Sequence, residues 1–225
     1  MNYNEYTLQL FKILLQKKPF GIDEGVFAQA QNAYESVKKS NAPLEEIEKH
    51  MKALGAHAWP YWQAEREFKE THTREKEKSF FLDQLPDQLQ KKYIAFQEGG
   101  GDIHNFRKGD DYEKAFTPEE DAILQETAVE TASAMRDYVK NLATSDEKKE
   151  EYAQCIAKYT QELAGMKENL NELALLKEKN DAFAEEIDGQ IDFFEKGFAE
   201  IEERPTKEKV QGKLEWYKGQ IEGLS

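Results

Sequence analysis

Four histidines, one cysteine and 45 acidic side chains are the raw material for a catalytic or metal centre in this 225-residue chain. A di-iron centre held in a helical bundle needs Glu three residues ahead of His, so that both ligands project from one helix face. The residues three before His50, His57, His72 and His104 are Ile47, Leu54, Lys69 and Gly101, none of them acidic. A zinc-protease helix needs Glu directly after its first His, and here the followers are Met51, Ala58, Thr73 and Asn105. Neither a GxxxxGK phosphate loop, nor a GxGxxG turn, nor a GxSxG nucleophile elbow occurs. Cys155 sits beside Ile156 with no His or Arg within one helical turn to lower its pKa. It therefore reads as a small hydrophobe rather than a nucleophile. These enzyme families are excluded, and the chain reads as a non-enzyme without a cofactor more readily than as an enzyme with an unfamiliar site.

Three weaker constellations remain. Glu46, His50 and His57 fall within about 40° of one another on a helical wheel if the helix continues through Gly55. Imidazoles and a carboxylate on one stripe form a donor set for zinc or another divalent ion. The stripe also borders an apolar face, where ordinary boundary residues belong. The second constellation is Trp59, Pro60, Tyr61, Trp62 and Phe68. Such aromatics either fill the core where a helix bends or offer an anchor to a protein partner, since Trp and Tyr dominate binding hot spots. Trp216 and Tyr217 lie in the last apolar stripe and read as packing. The third is the segment 99–116, GGGDIHNFRKGDDYEKAF. Its length exceeds that of most structureless connections in compact domains. Its His104, Phe106 and Arg107 are candidate partner contacts, its glycines permit an anion nest, and its aromatics suggest that it folds back onto the bundle.

The elements that must position these residues are helical throughout. A first helix is expected from about Asn4 to Lys17, with Leu8, Phe11 and Leu15 on one face, ended by Pro19-Phe20-Gly21. Asp23 suits the N-cap of a second, whose Phe27, Ala30, Tyr34 and Val37 step by three and four. A third begins at Leu44 with Ile47, Met51 and Leu54, and a kink or break is expected between Gly55 and Pro60. From Tyr61 to Phe81 the chain is charged on nearly every face, which predicts packing along a narrow seam. Pro86 suits the first position of a helix ending near Glu98.

Beyond Pro118 the pattern becomes more regular. Thr117-Pro118-Glu119-Glu120 is a capping box with proline at the first helical position. Thr144 and Glu147 offer a second. Leu124, Ala128, Thr131, Met135, Tyr138 and Leu142 form one stripe, and the run from Tyr152 to Leu173 another. A third stripe runs from Phe183 to Ile201. The last comprises Val210, Leu214, Tyr217, Ile221 and Leu224, after a stop at Arg204-Pro205-Thr206. Steps of three and four average 3.5 residues, the period of helices that pack along one seam. At Lys179-Asn180-Asp181 a turn is preferred over one continuous helix of about fifty residues, roughly 75 Å long.

Charge divides the chain as well. Residues 1–117 carry 19 acidic and 17 basic side chains, and residues 118–225 carry 26 and 14, so −12 of the net −14 lies beyond Thr117. The expected organisation is an N-terminal helical region over 1–98, a glycine-rich connector over 99–116, and an acidic antiparallel bundle or coiled-coil hairpin over 117–225. The fold class is all-α, an elongated multi-helix bundle with a coiled-coil-like C-terminal region.

The acidic surplus argues against nucleic-acid binding, which needs basic patches. No window is long and apolar enough for a membrane span. The first residues lack the basic start and cleavage site of a signal peptide, so a cytoplasmic location is expected. Three functions fit. The first is a non-catalytic helical adaptor or scaffold with an unknown protein partner. The second is a metal- or small-ligand-binding protein using the His50/His57 stripe or the 99–116 segment. The third is an acidic mimic of nucleic acid. A heptad seam can also pair with a second copy, so a homo-oligomer is possible.

Overall fold

The computed structural model describes residues 3–40, 43–101, 110–199 and 204–223. The described residues form nine α-helices and no strand. In chain order these are α1 (Tyr3–Gln16), α2 (Glu24–Ser40), α3 (Leu44–Gln84), α4 (Asp87–Glu98), α5 (Asp110–Ala115), α6 (Pro118–Thr144), α7 (Lys149–Lys179), α8 (Ala184–Ala199) and α9 (Lys207–Glu222). A short 3₁₀ turn, Asp181–Phe183, separates α7 from α8. None of the helices is long and apolar enough to cross a membrane. The chain divides into two compact units, Met1–Arg66 with Glu150–Ser225, and Glu67–Lys149. The charge step at Pro118 falls inside the second unit rather than between the two.

The first unit is built on two apolar clusters that share α3. Ile47, Met51, Leu54 and Ala58 pack with Phe11 and Leu14 of α1, Ile22, and Phe27 and Val37 of α2. Trp59 joins Leu163, Met166, Leu170 and Leu173 of α7, Ile187, Phe194 and Phe198 of α8, and Val210, Leu214 and Tyr217 of α9. A buried aliphatic or aromatic side chain contributes about 1.5–3 kcal/mol, whereas a surface ion pair contributes about 0–1 kcal/mol. The stripes, not the charges, therefore fix where these helices lie.

Local signals set the ends of the elements. The Asp23 carboxylate accepts from the Val26 N–H at 2.9 Å and caps α2 as expected. Gly21, in the turn before it, has φ +85°, a left-handed conformation that suits glycine. The Trp62 indole N–H donates to the Lys17 carbonyl at 2.6 Å and so satisfies an orphan acceptor just beyond the end of α1. At Asn180 the backbone leaves the helix, and α7 and α8 run antiparallel, with Lys177 paired to Asp188 at 2.6 Å. The turn preferred from the sequence is present.

Of the kink or break expected between Gly55 and Pro60, the break is absent, and α3 runs through both residues. Gly55 is instead a crossing point. A Cβ there would lie 2.7 Å from the Ala199 Cα, so the α3 and α8 backbones meet where only glycine fits. Pro60 is buried inside the same helix. Its missing N–H costs one backbone hydrogen bond, and the packing on both sides of α3 outweighs it.

The second unit holds the charged half of α3, with α4, α5 and α6. Thr117 accepts from the Glu120 N–H at 3.3 Å while the Glu120 carboxylate accepts from the Thr117 N–H at 2.8 Å, which is the predicted capping box. Lys92 pairs with Glu120 at 2.5 Å and, with the Thr117 N–H, holds its carboxyl below the usual carboxylate range. The segment 99–116 contains a helix, α5. Tyr112 and Phe116 fold back onto Leu85, Leu89, Tyr93 and Leu124 as the aromatics suggested. Between Lys69 and Gln84 only Thr73 is buried, a narrow seam indeed.

Two expectations beyond Pro118 are corrected. Thr144 is the last residue of α6, not an N-cap; its hydroxyl donates to the carbonyls of Lys140 and Asn141 at 3.0 and 3.2 Å. The buried stripe of α6 is Leu124, Thr127, Thr131, Met135, Val139 and Ala143. Alternating steps of four and three place Ala128, Tyr138 and Leu142 on the stripe instead. Tyr138 lies under the Lys76 ammonium, 4.0 Å from the ring centroid, and steps of four from Thr131 to Ala143 depart from a heptad.

Candidate functional site

The first unit carries a groove of about 510 Å³ between α3, α7 and α8. Its floor is Ala53 and Ala56 of α3, Leu170 of α7 and Phe198 of α8. Two alanines leave the space, because one turn on either side the helix carries long side chains. The rim is charged: Glu45, Glu48, Lys49 and Lys52 on α3, Lys167 on α7, Glu195 on α8.

Half of these charges are committed to ion pairs. Lys52 pairs with Asp192 and, at 3.4 Å, with Glu195. Lys196 bridges Asp192 at 2.8 Å and Glu48 at 3.7 Å. Partial burial would lower the Lys52 pKa, but its contacts with Asp192 and Glu195 outweigh that and raise it above the ordinary lysine value. Burial likewise works against the Asp192 carboxylate, and the Lys196 and Lys52 ammoniums override it, holding its pKa low. The network pins α8 to α3. Lys49 and Lys167 have no ion-pair partner among the described residues.

A second feature is convex. Phe193 on α8 is 51 % exposed and Trp216 on α9 is 46 % exposed. Phe193 lies seven residues after Glu186, hence on the same face of α8, and Glu186 accepts from the Tyr217 hydroxyl at 3.0 Å. Lys218 reaches Glu172 on α7 at 2.6 Å. Trp216 lies about 200° around α9 from Lys218, on the opposite side of the helix. Both aromatics stand exposed on the first unit, and the Lys213 ammonium lies 5.6 Å from the Trp216 ring centroid. The sequence reading placed Trp216 in the packing. Only its neighbour Tyr217 is buried there.

The residues singled out from the sequence do not converge. Because α3 is unbroken, His57 stands about 10 Å further along it than His50 and about 16 Å beyond Glu46, at about 1.5 Å per residue. One ion cannot bridge that span. Among the described residues no group of three His, Cys, Asp or Glu side chains is placed to hold a metal. His57 is half-buried with its ring centroid 6.1 Å from that of Tyr61, and its Nε2 is enclosed without a hydrogen-bond partner among the described residues. Trp59 is 3 % exposed and packs edge-on against Tyr159 and Phe198, at 5.9 and 6.2 Å between centroids. Tyr61 turns to the Phe20–Gly21 turn and Tyr152, and Trp62 to the end of α1. Trp59 thus packs in one apolar cluster of the unit, and Tyr61 and Trp62 pack against the other. His104, Phe106 and Arg107 lie outside the described residues, as do Ile201 and Leu224 of the predicted stripes.

Tyr152 illustrates how such polar groups are used. Its hydroxyl donates to the Phe20 carbonyl at 3.0 Å and its ring stacks on Phe20 at 4.7 Å. Burial, with Glu65 nearby, pushes its pKa up. It tethers α7 to the α1–α2 turn and stays protonated.

The groove and the aromatic pair were missed from sequence for different reasons. Ala53 and Ala56 beside a run of charges signal a shallow depression only once the facing helices are known. Phe193 and Trp216 each adjoin a stronger core residue, Phe194 and Tyr217, which absorbed the periodicity. No family model matches the chain, and no curated protein or solved structure matches it.

Proposed function

We propose that this protein is a non-catalytic helical adaptor that binds a protein partner through the α8–α9 face. The observation that carries this reading is the pair Phe193 and Trp216, each about half exposed although several other aromatics of the unit are buried. Large aromatics bury much area on binding at little entropic cost, and Trp and Tyr recur at binding hot spots. The surrounding surface is charged and polar, as the rim of such an interface is. In this reading the seams of α7, α8 and α9 act as coiled-coil-like supports that keep the face rigid. The protein works in the cytoplasm on protein rather than on nucleic acid or membrane.

Affinity purification from the source cells tests this. Wild type and the double variant Phe193→Ser/Trp216→Ser would be compared under identical conditions, after circular dichroism shows equal helicity. The expected result is at least one protein retained by wild type and lost from the variant. An identical set on both would refute the proposal. Sedimentation of the purified protein tells a second copy from a different partner, since only self-association changes its mass.

A further inference from the structure

We infer that the groove between α3, α7 and α8 binds a small amphipathic carboxylate, with an apolar tail on its floor and an anionic head at its rim. Its volume of about 510 Å³ lies within the range of about 300–1,000 Å³ for small-molecule sites. The floor of Ala53, Ala56, Leu170 and Phe198 offers apolar surface without a polar group to satisfy. The sign of the ligand follows from which rim charges are already used. Glu48 and Glu195 are held by Lys196 and Lys52. That leaves Glu45 against two lysines, Lys49 and Lys167, without ion-pair partners among the described residues. Three lysines face three glutamates around the rim, so its net charge is zero, but the two unpaired ammonium groups are the donors that an anionic head can use. An ammonium facing a carboxylate gains a charge-assisted hydrogen bond, and the apolar floor rewards a tail by about 25 cal/mol per Å² buried. The site is separate from the Phe193–Trp216 face, so either proposal can fail alone.

Titration calorimetry with decanoate and with decyltrimethylammonium, below their micelle concentrations, tests the inference. Decanoate should bind saturably at one site and the cation of equal chain length should not. Lys49→Ala/Lys167→Ala, both exposed positions, should weaken decanoate about tenfold, the worth of one charge-assisted contact of about 1.4 kcal/mol. Ala53→Trp should fill the groove and abolish binding. Absence of saturable decanoate binding, equal binding of the cation, or binding unchanged in the lysine double variant would each overturn it. The lysine variant decides the matter even if Ala53→Trp fails to fold.

Discussion

At Gly55 one hydrogen atom in place of a methyl group decides whether α3 and α8 can cross. Gly55→Ala would drive a Cβ to within 2.7 Å of the Ala199 backbone. The expected cost is about 1–3 kcal/mol, the usual price of overpacking. Gly212 on α9 is the control, because a Cβ there meets nothing within 4 Å. Gly212→Ala should stabilise by about 0.5–1 kcal/mol, through a less flexible unfolded chain. Urea midpoints of the two variants should move in opposite directions, and a shift of the same sign in both would contradict the crossing. Tyr217 supplies a pH handle. Burial and the Glu186 carboxylate push its pKa up to about 12, against about 10 in an unfolded chain. A raised pKa means that the native state disfavours ionisation. Its stabilisation is complete below about pH 10 and is lost as pH rises towards 12. Thermal melts of Tyr217→Phe should show a smaller loss of stability across that window than wild type, with a modest deficit at neutral pH from the missing hydrogen bond. Equal alkaline losses would contradict the assignment.

Among the elements, the two threonines that open apparent capping boxes separate cleanly. Thr117 caps α6, so Thr117→Ala should cost about 1 kcal/mol. Thr144 ends the same helix and bonds only to carbonyls of its own preceding turn, so Thr144→Ala should change stability by less than about 0.5 kcal/mol. Chemical denaturation of the two variants distinguishes them, and equal losses would mean that Thr144 does cap. The contrast shows what a motif can convey. Thr117-Pro118 is legible because proline fixes the helix start from within the sequence. Thr144 lacks that second constraint, and the chain follows its better option, ending one helix and starting α7 five residues later. The same reasoning accounts for α3. Gly55 and Pro60 raise the local cost of a helix, but burial of Met51, Leu54, Ala58 and Trp59 on two sides exceeds a cost of about 3 kcal/mol. Tertiary packing of this kind is absent from any local window.

On the scale of the whole molecule, periodicity conveyed the helical class and most of the buried stripes, because apolar spacing records which face each helix covers. It did not convey the two-unit organisation, since segments distant in sequence, α1 to the first half of α3 and α7 to α9, share one unit. The charge step at Pro118 records surface composition, not packing. Nor did it convey either candidate site, because Lys49, Lys167, Phe193 and Trp216 acquire meaning only from what faces them. In the proposed function the Trp216 side of α9 meets a protein partner. Photo-crosslinking in the source cells, with a benzophenone amino acid at position 216 or at the more exposed position 129 of the other unit, is the decisive measurement. A discrete protein adduct at 216 that is absent at 129 is expected; no adduct at 216, or the same adducts at both positions, would mean that this face meets no specific partner.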